Sequence, residues 1–100
     1  MKGLLTSLIF NLCLLTIIGQ SGVIKGTVTD ATNNETIPFA NIFVEQTKSG
    51  VATDFEGDYK IENLKPGVYN ITYSFVGYNT KSVAEVIVNP NKPTVLDIQL

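Results

Sequence analysis

The chain is 100 residues long and has no histidine and no tryptophan. Arginine is missing too, since all seven basic residues are lysines. The single cysteine, Cys13, lies in an N-terminal stretch that reads as a cleavable leader. Without histidine there is no imidazole general base. Without cysteine beyond the leader there is no thiol nucleophile, and no zinc ligand set can be assembled. Disulfide staples, which small extracellular modules of animals tend to carry, are also absent, so the composition suits a bacterial envelope better. From Gly22 onward six lysines stand against nine carboxylates, with neither sign gathered. No basic stripe is available to neutralise phosphates, and nucleic acid is not expected as a partner.

What is present begins with "MKGLLTSLIFNLCLLTIIGQS": Lys2, an apolar run from Leu4 to Ile18, then Gly19, Gln20 and Ser21. These are the three regions of a secretory signal peptide, assigned to residues 1–21 with cleavage near Gly19 or Ser21. A spanning helix is the alternative, but the run only reaches the lower limit of ~17 residues and Asn11 interrupts it. A lipoprotein leader would need small residues ahead of Cys13, where Phe10, Asn11 and Leu12 stand. Residues 22–100 then form one domain, of a size at which a single small core is feasible.

Within that domain apolar residues alternate over short windows, broken by turn residues at intervals that suit an all-β fold. "VIKGTVT" places Ile24, Gly26 and Val28 on one face. "FANIFVEQT" sets Ala40, Ile42 and Val44 against Asn41, Phe43 and Glu45, which leaves Phe43 facing outward. "VATD" and "DYKIENL" follow, the latter directing Tyr59, Ile61 and Leu64 inward. In "KPG", Pro66 presets a turn and Gly67 is expected to take a positive φ. "VYNITYSF" is the clearest strand, with Tyr69, Ile71, Tyr73 and Phe75 on one side. "TKSVAEVIV" is less cleanly patterned, and "TVLDIQL" closes the chain with Leu96, Ile98 and Leu100 aligned. The pattern predicts a seven-stranded antiparallel sandwich of two face-to-face sheets.

The segments "GTVTD", "IPFANIFV" and "GVATDFEGDYKIENLKPGVYNITYSFVGY" resemble the carboxypeptidase regulatory-like domain, a transthyretin-like Greek-key β-sandwich. The likeness is in particular to the version that precedes the plug of TonB-dependent outer-membrane receptors in Gram-negative bacteria. The likeness covers Val23 to Leu100, and its most specific part is the ordered set Thr53, Asp54, Gly57, Tyr59, Leu64, Gly67, Tyr69, Gly77 and Tyr78. In physical terms these positions read as structural: glycines in turns, tyrosines in the core, and Asp54 accepting backbone N–H bonds within its own turn. The resemblance implies a non-catalytic periplasmic extension of a nutrient receptor, cut short at Leu100, in the periplasm or outer membrane of a Gram-negative bacterium. Its partners would be envelope proteins, with the outer membrane reached through a C-terminal barrel that is missing here. Because this domain type is attached to many proteins, a free-standing secreted or surface binding module and a structural spacer remain alternatives.

Four chemistries stand as alternatives to a purely structural role. Asp54, Glu56 and Asp58 put three carboxylates on one turn, but the glycine comes too early for an EF-hand and Lys65 stands where its last acid belongs. No metal site is expected. An isopeptide from Lys25 would want a glutamate where Tyr73 stands, and the last strand lacks asparagine. Catalysis lacks a histidine base, a cysteine nucleophile and a zinc ligand set, and paired carboxylates would find no cleft to desolvate them in so small a sandwich, so neither an enzyme nor a cofactor is expected. Carbohydrate is a candidate ligand through Phe39, Phe43, Tyr73, Phe75 and Tyr78, most of which are more simply core, and Phe43 is the candidate contact residue.

Overall fold

A computed structural model describes residues 20–100, and the leader assigned above lies almost wholly outside them. The chain runs β1 (Gly22–Thr29), β2 (Asn41–Val44), β3 (Ser49–Ala52), β4 (Asp58–Leu64), β5 (Gly67–Ser74), β6 (Lys81–Val88), β7 (Thr94–Val95) and β8 (Ile98–Gln99). One sheet has the order β3-β2-β5-β6; the other has β1 at its centre, with β4 on one side and β7 and β8 in turn on the other. No helix occurs among the described residues. The expected all-β sandwich is therefore what forms, with eight strands in place of seven.

The extra strand arises because the predicted last strand is broken, and its halves pair parallel to β1 while β4 pairs antiparallel. The break has a local cause. Leu96 N–H donates to Lys25 O at 2.8 Å, so a regular parallel ladder would return Thr27 N–H to Leu96 O. Instead Leu96 O accepts the Tyr59 hydroxyl, and the Asp97 carboxylate takes Thr27 N–H at 2.9 Å. The crossing lies directly over Gly26, where a Cβ would stand 2.0 Å from Leu96 O. Only glycine lets the two backbones approach so closely.

The alternating residues supply the core. Ile24 and Val28 of β1, Ala40 with Ile42 and Val44 of β2, Tyr59, Ile61 and Leu64 of β4, and Tyr69, Ile71 and Tyr73 of β5 are all buried, joined by Val86, Val88, Ile37 and Ile98. Each fully buried side chain of this size contributes roughly 1.5–3 kcal/mol, which is why the period-two pattern governs the register. Two strands depart from strict alternation. Ile61 and Leu64 both face inward because β4 bulges at Asn63 (φ 59), where the pairing with β1 shifts between Gly22 and Ile24. Val83 and Val86 both face inward because β6 bulges at Glu85 (φ 59), where the pairing with β5 shifts between Tyr69 and Ile71. A bulge adds one residue to one strand, and the inward spacing becomes three.

Candidate functional site

Thr53 is buried at 2% exposure and staples the loop before β2: its hydroxyl donates to Ile37 O at 2.6 Å and accepts from Ala40 N–H at 2.8 Å. Asp54 Oδ1 accepts N–H bonds from Glu56 and Asp58 at 2.9 and 3.0 Å, as a turn-forming aspartate should. Gly57 closes that turn at φ 81, and a Cβ on it would meet Thr36 Cβ at 2.7 Å. Tyr59 and Tyr73 meet edge to face with their hydroxyls 2.8 Å apart. Since the Tyr59 proton goes to Leu96 O, Tyr73 is the donor of that pair. Burial raises both phenols, Tyr59 the more strongly, so both are neutral donors at physiological pH.

Leu64 is core, and the Tyr69 hydroxyl donates back to Lys65 O at 2.6 Å, tying the β4–β5 turn to β5. Gly67 departs from expectation: it has no positive φ, and a Cβ there would make only ordinary contacts at 4.0 Å. It pairs with Val88 as the first residue of β5, so the turn is completed without a left-handed residue at that position. Gly77 sits in the turn closed by Tyr78 N–H to Phe75 O at 3.1 Å. Tyr78 donates to Asp30 Oδ2 at 2.7 Å, linking the loops after β1 and β5. Hydrogen bonds from the Thr32 side chain, Tyr78 and the Thr32 backbone hold the Asp30 carboxyl down at about 2, and that carboxylate in turn raises the Tyr78 phenol.

The opening beside the middle of β1, the start of β4 and the end of β7, of ≈ 580 Å³, is lined by Lys25, Lys60, Asp54, Asp58 and Asp97 among others. Its acids are already engaged, Asp54 and Asp97 by backbone N–H groups and Asp58 by the Thr27 hydroxyl at 2.6 Å. No set of three or more acidic, histidine or cysteine side chains among the described residues is placed to hold a metal. Asp97 and Gly26 are the positions that sequence reasoning missed. Their signal was only an aspartate interrupting an alternating strand and a glycine inside one.

The two sheets present different outer faces. The β1–β4 face carries Lys25 opposite Lys60 and Thr27 opposite Asp58. The other shows Phe43 opposite Gly50 and Thr72, Thr72 opposite Ser82, and Val68 opposite Ile87, with no charge among them. Phe43 is 41% exposed. Its position opposite an edge glycine also gives it a structural task, covering backbone that Gly50 leaves bare. Of the other aromatics, Tyr73 is core, Phe75 and Tyr78 pack against the core, and Phe39 stacks edge to face on Phe55 at 5.1 Å with both rings exposed.

Geometry thus defines a β-sandwich module whose ordered aspartate, glycine and tyrosine positions are turn and core positions. Residues 24–100 match the family described as the CarboxypepD_reg-like domain, and the chain belongs to it. It is 35% identical over 68 residues to TonB-dependent receptor P39 of Formosa agariphila, covering 68% of the chain and 5% of that protein. It is 40% identical over 77 residues to the carboxypeptidase N catalytic chain of Mus musculus, covering 77% of the chain and 16% of that protein. TonB-dependent receptor P3 of Formosa agariphila is 31% identical over 64 residues, 64% of the chain and 6% of that protein. The chain therefore spans a small fraction of the length of these relatives.

Proposed function

We propose that this chain is a non-catalytic N-terminal module of a TonB-dependent outer-membrane nutrient receptor, exported by a signal peptide over residues 1–21 and acting in the periplasm by protein–protein contact. The observation that carries the reading is the similarity of one family-length stretch to two proteins named as TonB-dependent receptors. The likeness to a carboxypeptidase N catalytic chain does not favour peptidase activity, because the described residues hold neither histidine nor cysteine and the family is the regulatory-like one. The test is the size and membrane fraction of the native gene product, detected with an antibody against Gly22–Leu100. A receptor-sized band in the outer membrane is expected; a soluble band of about 9 kDa, the mass of the domain alone, would refute the receptor reading.

Phe43, 41% exposed on the outer face of the β2–β5 sheet, favours a second reading, a free-standing binding module for an envelope protein or a carbohydrate. Under it, Phe43→Lys abolishes recovery of the partner from envelope extract while the fold is retained. Equal recovery with both proteins would reject that surface.

A further inference from the structure

The fold sorts charges that are scattered along the sequence. β1 ends where β4 begins, and β5 ends where β2 and β6 begin. Val28 N–H donates to Gly57 O and Phe39 N–H to Thr53 O, so the loops 30–40, 53–57 and 75–80 share one end of the sandwich. These loops carry Asp30, Glu35, Asp54 and Glu56 and no lysine. The opposite loops, 45–48, 65–66 and 89–93, carry Lys48, Lys65 and Lys92 against Glu45 alone. The one ion pair among the described residues, Lys60–Glu62, joins neither set.

At the acidic end stand two aromatic rings that the core does not use. Phe39 is 53% exposed and Phe55 83% exposed, and the two rings meet each other edge to face at 5.1 Å. Val76, in the third loop, is exposed as well. Phe39 also sits on a backbone that suits it poorly. It follows Pro38 at φ 62, and its N–H donates to Thr53 O while Ala40 O accepts from Thr53 N–H, so Phe39 and Ala40 together oppose one residue. That is a bulge whose first position, in the left-handed region, ordinarily falls to glycine. A bulky side chain there is strained, and burial does not offset the strain of one that stays half exposed.

We propose that the Phe39–Phe55 pair is the docking point for an arginine-bearing segment of a partner protein. A guanidinium stacks flat on an aromatic face and also pairs with a carboxylate through two parallel hydrogen bonds, and this end offers both groups to it. Glu56 adjoins Phe55, and Glu35 lies in the loop that reaches Gly57 through Thr36. Neither carboxylate is in an ion pair among the described residues. The rings and Val76 give the apolar stem of an arginine a surface to lie on. The occupant is a different protein, since these 100 residues hold no arginine. A second copy brings only lysines, compact charges without the planar face. The surface is separate from the sheet face that carries Phe43, and the inference holds whether the module belongs to a receptor or stands alone.

Titration of the purified protein with hexaarginine, hexalysine and hexaglutamate peptides at low salt, followed by backbone and aromatic-ring NMR signals, tests the proposal. Hexaarginine is expected to shift the Phe39 and Phe55 rings and the Glu56 amide, and to bind about threefold or more tighter than hexalysine. Hexaglutamate should shift none of them. Phe39→Gly supplies the residue the bulge prefers, so it should weaken hexaarginine binding about three- to tenfold while the thermal midpoint stays level or rises. Phe55→Ser should weaken binding to a like degree. Glu35→Gln combined with Glu56→Gln should weaken it too and flatten its dependence on salt. Glu45→Gln, at the lysine end, should leave it as in wild type. No ring shift, equal binding of hexalysine and hexaarginine, or wild-type binding by Phe55→Ser would overturn the proposal. Ring shifts on concentrating the protein alone would also overturn it, because a second copy would then be the occupant. Should Phe39→Gly unfold, Phe55→Ser decides alone.

Discussion

The hydroxyl pair at the sandwich centre gives an asymmetric expectation. Tyr59 donates to Leu96 O and accepts from Tyr73, whereas Tyr73 only donates to Tyr59. Tyr73→Phe removes one buried hydrogen bond and leaves Leu96 O satisfied, at a cost of about 1 kcal/mol. Tyr59→Phe removes both bonds and orphans both Leu96 O and the Tyr73 hydroxyl. Two bonds at about 1 kcal/mol each, with about 1–3 kcal/mol added for the stranded Tyr73 hydroxyl, bring that cost to about 3–5 kcal/mol. In the Tyr59→Phe background, Tyr73→Phe no longer breaks a bond and instead removes a stranded hydroxyl, so it should be neutral or stabilising. The cycle therefore gives a coupling of about 1 kcal/mol or more. Urea unfolding of the four proteins measures it. In a domain this small each kcal/mol is also worth roughly 4–8 °C in Tm. Equal costs for the two single variants, or strict additivity, would refute the assigned direction of the hydrogen bonds and with it the account of the broken last strand.

Three further outcomes are expected. Gly57→Ala combines a positive φ with a Cβ 2.7 Å from Thr36 Cβ and 3.0 Å from Val28 O, and should cost about 2–4 kcal/mol by chemical denaturation, whereas Gly67→Ala should stay within about 0.5 kcal/mol of wild type. Thr53→Val keeps the shape but strands Ile37 O and Ala40 N–H, for a loss of about 2–4 kcal/mol; Thr53→Ser keeps both bonds and should lose about 1 kcal/mol in the same assay. Asp30 has a folded pKa of about 2 against an ordinary 3.8, so its stabilising effect is complete above the ordinary value and disappears as pH falls through about 2. Asp30→Asn should flatten that limb of the acid-unfolding profile, and an unchanged limb would contradict the Thr32 and Tyr78 contacts.

Much of the fold was legible because it rests on short-range alternation. "VYNITYSF" buries Tyr69, Ile71 and Tyr73, as its period demands. The uneven "TKSVAEVIV" hides a bulge at Glu85, where a residue with no special tolerance for positive φ is held by pairing on either side and by Asn70 Oδ1 accepting its N–H at 3.2 Å. Parallel pairing of β7 and β8 with β1 was not legible. It joins residues about seventy positions apart, and no local pattern reports such a partner. Asp97 was invisible for the same reason, since its task is to stand in for the neighbouring Leu96 carbonyl as acceptor of an N–H on β1. Within the candidate site, the role of Asp54 followed from turn chemistry alone. The difference between Gly57 and Gly67 did not, because it depends on what surrounds each turn.

The ordered turn and core residues point inward or into turns: Thr53, Tyr59, Leu64 and Tyr69 are buried, and Gly57 and Asp54 close one loop. Likeness in such positions transmits a fold. That explains how one chain is similar both to receptors and to a carboxypeptidase N chain, proteins whose names share no activity. The fold does not dictate the outer face around Phe43 or the bare edge of β3, so both are free to differ between modules that share these buried positions. Those two surfaces are contiguous, because Phe43 lies opposite Gly50 of that edge strand. A variant at Gly50 would disturb both together.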